Sequence, residues 1–417
     1  MNRKFKVFLS ILFVFVFLCS CQNTNSTFDA FTDLYLPGKD YQANLNMTVG
    51  SGLAMAESET GFYLSNGYYL YYMDKEEKNP VPLCNRPNCL HEKADEDKKT
   101  ECSAYYPFLL QQIFFYDNAL YLPITNLNDS GQLVYCLRKL DKDGTFLEDI
   151  YEFPGYPQTF LVHRGFFYYS YAEYEEGSNG NGNISTSFQV VQVSLENKEE
   201  KTIYVNDLKN PGIFWMSASG KHLFFYNYGF NGDYKEVGDS GRVLQYVDYD
   251  LENQSLHVTD MNAPEGEAST PTVFHDSLIF FKYFYNYDDE RNRDLFQMDL
   301  NGENQTKIFT AEPTGGSVQW DGTYFYIDNR GIIGMTADTS ITRKVWVYDE
   351  KFHLVTAFDF SNVDGADLTQ EVQGPLFIAE DYIFSHEKTE GPSISSFIYI
   401  DKDELSGGQV SPHKVTF

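Results

Sequence analysis

The chain has 417 residues, with 60 Asp and Glu against 31 Lys and Arg, a formal net charge of −29 at pH 7, and aromatic residues at 17% of the total. So large a negative surplus repels nucleic acid and anionic membrane surfaces, which excludes phosphate-backbone binding and electrostatic membrane attachment. Its 32 Tyr and 35 Phe, set in short alternating phrases without long helical periodicity, exclude an α-helical protein and point to an all-β one.

The first elements concern address rather than fold. Arg3, Lys4 and Lys6 precede an unbroken apolar run from Val7 to Leu18, followed by Leu18-Cys19-Ser20-Cys21. A basic start, a short apolar core and small residues before a cut define an export signal over residues 1–20. Leu-Cys-Ser-Cys has the form of a bacterial lipobox, which makes Cys21 the lipidated first residue of the mature protein, held by two acyl chains. An ordinary signal peptide with a free Cys21 is the alternative. Residues 1–20 carry three basic and no acidic side chains, so their removal takes the charge from −29 to −32. The lipid, not charge, then holds the protein to the outer face of the cytoplasmic membrane. Residues 21–42, rich in Asn, Thr, Ser and Asp, read as a tether.

From residue 43 onward two phrases alternate. The first is a tight turn between aromatic strands, clearest in Val318-Gln319-Trp320-Asp321-Gly322-Thr323-Tyr324-Phe325-Tyr326. It recurs around residues 61, 118, 165, 220, 276, 322 and 381, at spacings of 46 to 59 residues. The second is a strand such as Val345-Trp346-Val347-Tyr348-Asp349, and it also recurs seven times. Each interval holds one four-stranded blade, so residues 43–417 form a single seven-bladed β-propeller. In such a blade the turns between strands one and two and between strands three and four share a face, and the other connections share the opposite one. The long insertions Glu173 to Ser187, Asn227 to Gly241, Tyr283 to Arg293, Asp328 to Arg343 and His386 to Ser395 all fall between strands two and three. They are expected to crowd one face, joined there by the Cys84 to Cys102 connection, and rigid scaffolds usually bind through such loops.

That connection carries the sharpest chemical signal. Cys84-Asn85-Arg86-Pro87-Asn88-Cys89-Leu90-His91 is followed by Cys102, giving three thiols and an imidazole within nineteen residues. This donor set suits one structural zinc ion, with no open position for catalysis. A disulfide among the three cysteines serves the same stapling purpose in an exported protein, and both readings stand. Cys136 sits in an apolar strand phrase and reads as a small core residue.

Other motifs reduce to turns. Gly238-Asp239-Ser240-Gly241 resembles a serine-protease signature, but Asn128-Asp129-Ser130-Gly131 closes the corresponding loop two blades earlier, so both read as turn elements. Neither a Gly-x-Ser-x-Gly elbow nor a His-Glu-x-x-His helix occurs in the sequence. Asp141-Lys142-Asp143-Gly144 lacks the remaining ligands of a calcium loop and reads as a hairpin, and Asp288-Asp289-Glu290 reads as a solvated tip. The histidines beyond His91 are scattered, although a ring brings His163, His222 and His275 to equivalent blade positions.

The lipobox, the aromatic phrases, and Pro82-Leu83-Cys84 to His91 leading into Cys102-Ser103-Ala104-Tyr105 together resemble a family of exported lipoproteins, chiefly Gram-positive. These carry a β-propeller of unknown function similar to that of the low-density-lipoprotein receptor. The resemblance implies fold and location and no activity. The expected function is therefore a non-enzymatic, membrane-tethered monomer that binds an extracellular ligand or protein through its loop-rich face and does not bind nucleic acid. The alternatives are a glycan-acting hydrolase or lyase, and a metal- or redox-handling surface protein centred on the Cys84 loop.

Overall fold

The computed structural model describes residues 54–417 apart from 92–100, 107, 109–111, 129, 177–182, 233–240, 262–266, 284–288, 313–315, 330–342, 370, 373 and 388–392. The export signal, Cys21 and the tether lie outside the described residues, as do Asp239 and Ser240. The described residues form seven antiparallel sheets, spanning 54–82, 114–152, 157–206, 209–260, 267–310, 317–359 and 377–416, each with its strands hydrogen-bonded in chain order. They are the seven four-stranded blades expected from the repeats. In the fifth blade the first strand is split into Glu267–Ala268 and Thr272–Phe274, both paired with Ser277–Tyr283.

The residue pattern explains each strand's place within its blade. Second strands such as Gly61–Ser65 and Phe325–Asp328 are buried throughout, whereas fourth strands such as Ser255–Asp260 and Thr306–Thr310 are largely exposed. The tight turns between strands one and two use left-handed residues where hairpin geometry requires them, at Asp117 (φ 50) and Asn118 (φ 58), and at Arg164 (φ 46) and Gly165 (φ 81).

The core is divided into wedges between blades. Phe114, Tyr121, Leu137, Val162, Phe167 and Tyr169 fill one between the second and third blades, and an equivalent cluster fills each of the other six junctions, including the one between the last blade and the first. Polar ties stitch the same junctions. The Tyr63 hydroxyl donates to the Lys142 carbonyl at 3.0 Å and the Tyr246 hydroxyl to the Leu300 carbonyl at 2.8 Å, each reaching the turn between strands three and four of the next blade.

The Trp320-Asp321-Gly322 turn is tied in the same way. Asp321 Oδ1 accepts from the amides of Thr323 and Tyr324 at 2.7 Å each, while Oδ2 accepts from the Tyr326 hydroxyl at 2.7 Å and Lys402 Nζ of the seventh blade at 2.5 Å. At the other end of the Phe325–Asp328 strand Arg343, 1% exposed, pairs with Asp328 at 2.6 Å and donates to Ser385 Oγ at 2.9 Å across the same junction.

The seventh and first blades share no strand among the described residues. Apart from one backbone bond, from the Ile394 amide to the Asn66 carbonyl at 2.8 Å, their junction closes on side chains: Met55, Phe62 and Leu64 pack against Phe377, Phe384 and Phe397, and the Phe417 ring lies 4.8 Å from that of Tyr71. Lys75 draws Glu57, Glu380 and Asp381 together at 2.8, 3.5 and 3.3 Å, and the Glu380 amide donates to Glu57 Oε2 at 2.9 Å. One option that the sequence offers for closing the ring, pairing of a strand near Leu45 to Val49 with the last blade, lies outside the described residues.

Two sequence expectations are corrected. Glu173 to Ser187 is mostly strand, because Phe166–Glu176 stays paired with Asn183–Ser194 out to Glu176↔Asn183, past a bulge at Glu173/Tyr174. Alternation that continues past the blade edge extends the hairpin instead of forming a loop. Likewise Asn227 to Phe230 pairs with Arg242 to Gln245. The Cys84 connection does not simply join the loop-rich face. Asn85 Nδ2 donates to Thr145 Oγ1 at 3.0 Å and Leu83 abuts Gly144, so it leans on the turn between strands three and four of the second blade.

Two outcomes test this architecture. Lys75→Met should lower stability by roughly 1–2 kcal/mol in urea unfolding, since it leaves three carboxylates gathered without their cation; an unchanged midpoint would show that the seam does not depend on this hub. Asp321 gives a pH signature. Burial works to raise its pKa, but the Lys402 ammonium and the donors around it hold it below the usual carboxylate value. A depressed folded pKa means that the tie stabilises above about pH 4 and fades as pH falls through the folded value. The stability gap between wild type and Asp321→Asn should therefore narrow from pH 7 to pH 3, and a constant gap would refute the tie.

Candidate functional site

The strand Val81–Pro82 ends the first blade, and the chain then turns through Cys84 to His91 before returning at Cys102. Ligand atoms of Cys84, Cys89, His91 and Cys102 all lie within 4.8 Å of one another. His91 Nδ1 is 3.4 Å from Cys102 Sγ, and the Ser103 hydroxyl donates to Cys84 Sγ at 3.4 Å. The backbone works to make this convergence: Asn88 (φ 60) and His91 (φ 51) are both left-handed, a conformation that costs an ordinary residue about 1–2 kcal/mol.

A small apolar cluster of Tyr69, Cys102 and Ala104, with Cys84 and Cys89 half-buried against it, fixes the group to the first blade. The Leu70 amide donates to the Ala104 carbonyl at 2.9 Å. Burial raises the Cys84 thiol, but donors from Ser103 and the Arg86 amide outweigh it and bring the thiol down to about 7. Burial pushes Cys102 up to about 12, with its neighbouring thiols acting in the same direction. Cys84, Cys89, Cys102 and Cys136 are all free thiols. Cys136 joins the core between the first and second blades, and burial raises it to about 11.

The other sequence candidates are not brought together. His163 Nε2 lies 2.8 Å from the Gly220 carbonyl of the next blade, His222 Nδ1 is 2.9 Å from Asp248 of its own blade, and the His275 ring lies tilted against Phe274 and Trp320, so the three do not converge. Asp141 to Thr145 is a hairpin with Gly144 at φ 83. Asp289 caps a short 3₁₀ turn and is bound by Arg291 at 2.6 Å. Described carboxylates that do converge, Glu57, Glu380 and Asp381, converge on Lys75.

Sequence reasoning missed a cleft between the second and third blades. Pro123, Tyr135, Tyr156, Pro157 and Phe160 wall it, and Gln112 lines it as well. The Tyr135 and Tyr156 rings meet edge to face at 5.3 Å, with Tyr156 43% exposed, and Phe160 stands on the inter-blade core 5.8 Å from Phe167. Gln112 is 8% exposed, yet its Oε1 accepts no hydrogen bond among the described residues. A buried acceptor without a donor costs about 1–3 kcal/mol. Nothing in the repeat pattern marks Gln112, which precedes the first strand of its blade.

No protein-family profile matches the chain, and no curated protein matches it. Solved structures do. The tricorn protease aligns with 92% of this chain, over 36% of its own length, at a TM-score of 0.53 and 9% identity. The β-propeller domain of the trilobed protease from Pyrococcus furiosus aligns with 73% of this chain and 82% of its own, at 0.46 and 13%. Acylaminoacyl peptidase in complex with Z-Gly-Gly-Phe-chloromethyl ketone aligns with 70% and 48%, at 0.44 and 10%. The chain thus spans about a third of the tricorn protease, and at that identity the likeness establishes the propeller fold.

It also corrects the expected function. The matched structure of the same fold is a protease, so the expectation of a non-enzymatic ligand- or protein-binding function, inferred from loops on a scaffold, is withdrawn. Propeller repeats specify strands and not chemistry, which is why the sequence pattern misled on this point.

The unpartnered acceptor gives a direct test. Gln112→Leu should leave stability unchanged or raise it by about 1 kcal/mol, because it removes an unsatisfied buried group. Arg343→Met, which strips Asp328 of its guanidinium, should cost about 3–5 kcal/mol. A comparable loss in both variants would assign Gln112 a structural role.

Proposed function

We propose that this chain is a peptidase-related propeller that takes up peptide segments at the Tyr135–Tyr156 cleft, tethered through lipidated Cys21 to the outer face of a bacterial cytoplasmic membrane. The carrying observation is the buried Gln112 Oε1 in a cleft walled by aromatic rings and prolines. A polypeptide supplies what such a cleft lacks. Its backbone N–H satisfies the acceptor, and an adjacent apolar or aromatic side chain lies against Tyr135, Tyr156 and Phe160. The fold shared with a protease ring favours peptides over glycans as the class of ligand. Kinship with exported propeller lipoproteins, a monomeric state and repulsion of nucleic acid belong to the same reading.

Full-length protein in detergent, titrated with labelled octapeptides that vary at one position, should bind those with Phe, Tyr or Pro most tightly. Tyr156→Ala should weaken them about 5–10-fold, the equivalent of roughly 1–1.5 kcal/mol of ring contact, without changing thermal stability. Equal binding by wild type and variant would overturn the reading. Mass spectrometry of the same incubations assigns the chemistry: cleaved peptide places catalysis in this chain, and intact bound peptide places it in a partner.

A further inference from the structure

We propose that Cys84, Cys89, His91 and Cys102 bind one zinc ion in a closed tetrahedral site that staples the 84–102 connection to the junction of the first and second blades. The inference is independent of the peptide reading and rests on the donor set itself. At a Zn–S distance of about 2.3 Å, the edges of a tetrahedron measure roughly 3.8 Å. The four ligand atoms already lie within 4.8 Å of one another, so small side-chain rotations bring all of them onto one ion.

Three further features fit a built site. Left-handed backbone at Asn88 and His91 is held in place, and its effect is to turn the imidazole onto Cys102, with Nδ1 at 3.4 Å. Backbone strain of this kind marks positions that the surroundings over-determine. One sulfur also has a donor at hand: the Ser103 hydroxyl, whose single proton can serve either, lies 3.4 Å from Cys84 Sγ and 3.0 Å from Asn85 Oδ1. Donors of this kind orient thiolates and spread the excess charge of three of them around a dication. Finally, the connection has little else to hold it, since Asn85, Arg86, Pro87, Asn88 and Leu90 are exposed and Leu90 is 73% so.

A disulfide accounts for less. One bridge uses two thiols and leaves the third, together with His91, gathered for no purpose, whereas a metal uses all four donors. Four protein ligands fill a tetrahedral zinc and leave no position for water or substrate, so the role is structural. Its place is specific. Leu83 and Asn85 touch the Gly144–Thr145 turn of the second blade, and Ala104 and Tyr105 bond to the first blade, so the ion closes a clamp over their junction.

The test uses tag-free, full-length protein purified in detergent and incubated with zinc, then desalted. Elemental analysis should find about one zinc per chain in wild type and in Cys136→Ser, and less than about a tenth of that in Cys89→Ser. Cobalt(II) substituted into wild type should give the visible bands of a tetrahedral ion with thiolate charge transfer, a readout that stands even if the variant fails to fold. Removing the ion should speed tryptic cleavage within residues 84–102 at least about tenfold. Wild type that retains no zinc, cobalt without thiolate charge transfer, or a non-reducing peptide map with any two of these three cysteines bridged would overturn the site.

Discussion

The structure depends on the packing of one blade's face against the next. No blade is stable alone, because a four-stranded sheet whose second strand is buried throughout has two apolar faces and must cover both. Seven wedge-shaped clusters do this, each formed from the strands of two neighbouring blades. Aromatic residues suit the task, since they bury large areas and tolerate edge-to-face contacts as the wedge widens outward. Closure follows from the same requirement. The first and seventh blades each have an uncovered face until they meet, and Phe62, Phe384 and Phe397 supply the contact that a shared strand would otherwise reinforce.

Polar groups act within this apolar frame as register marks. Asp321 to Lys402, Arg343 to Ser385, Tyr63 to Lys142 and Tyr246 to Leu300 each cross a junction and each satisfy a group that burial strips of water. Buried pairs of this sort add little net stability compared with apolar residues of equal volume, but removing one partner is costly. Their effect here is to fix how far one blade is rotated against the next. Positions where that satisfaction fails stand out against such a background, and the Gln112 side chain is one of them.

The two sites differ in how they relate to the ring. The cleft is made from the ring itself, at the mouth of a wedge where Tyr135 and Phe160 run from core to surface. The thiol and imidazole cluster is an addition, in the connection between two blades, and it can change without disturbing the repeats. Likeness to protease rings is accordingly a likeness of the frame, and the chemistry resides in residues that the frame does not specify.

The sequence by itself determined the all-β class, the blade count and the grouping of three cysteines with a histidine, because each is a local pattern. Alternation sets strands, Asp-Gly and Asn-containing turns set their ends, and Cys84, Cys89, His91 and Cys102 lie close enough along the chain for their grouping to be legible. Tertiary structure alone decided the rest. Glu173 to Ser187 became hairpin instead of loop because pairing with the opposite strand outlasted the blade's edge. His163, His222 and His275, equivalent along the repeat, acquired unrelated partners: the Gly220 carbonyl of the next blade, Asp248 of the same blade, and the Phe274 and Trp320 rings. The cleft joins Gln112, Tyr135 and Phe160 from two blades, and the clamp at Thr145 links residues 60 apart in the chain. Contacts between blades depend on how the wedges seat, and no local pattern encodes that.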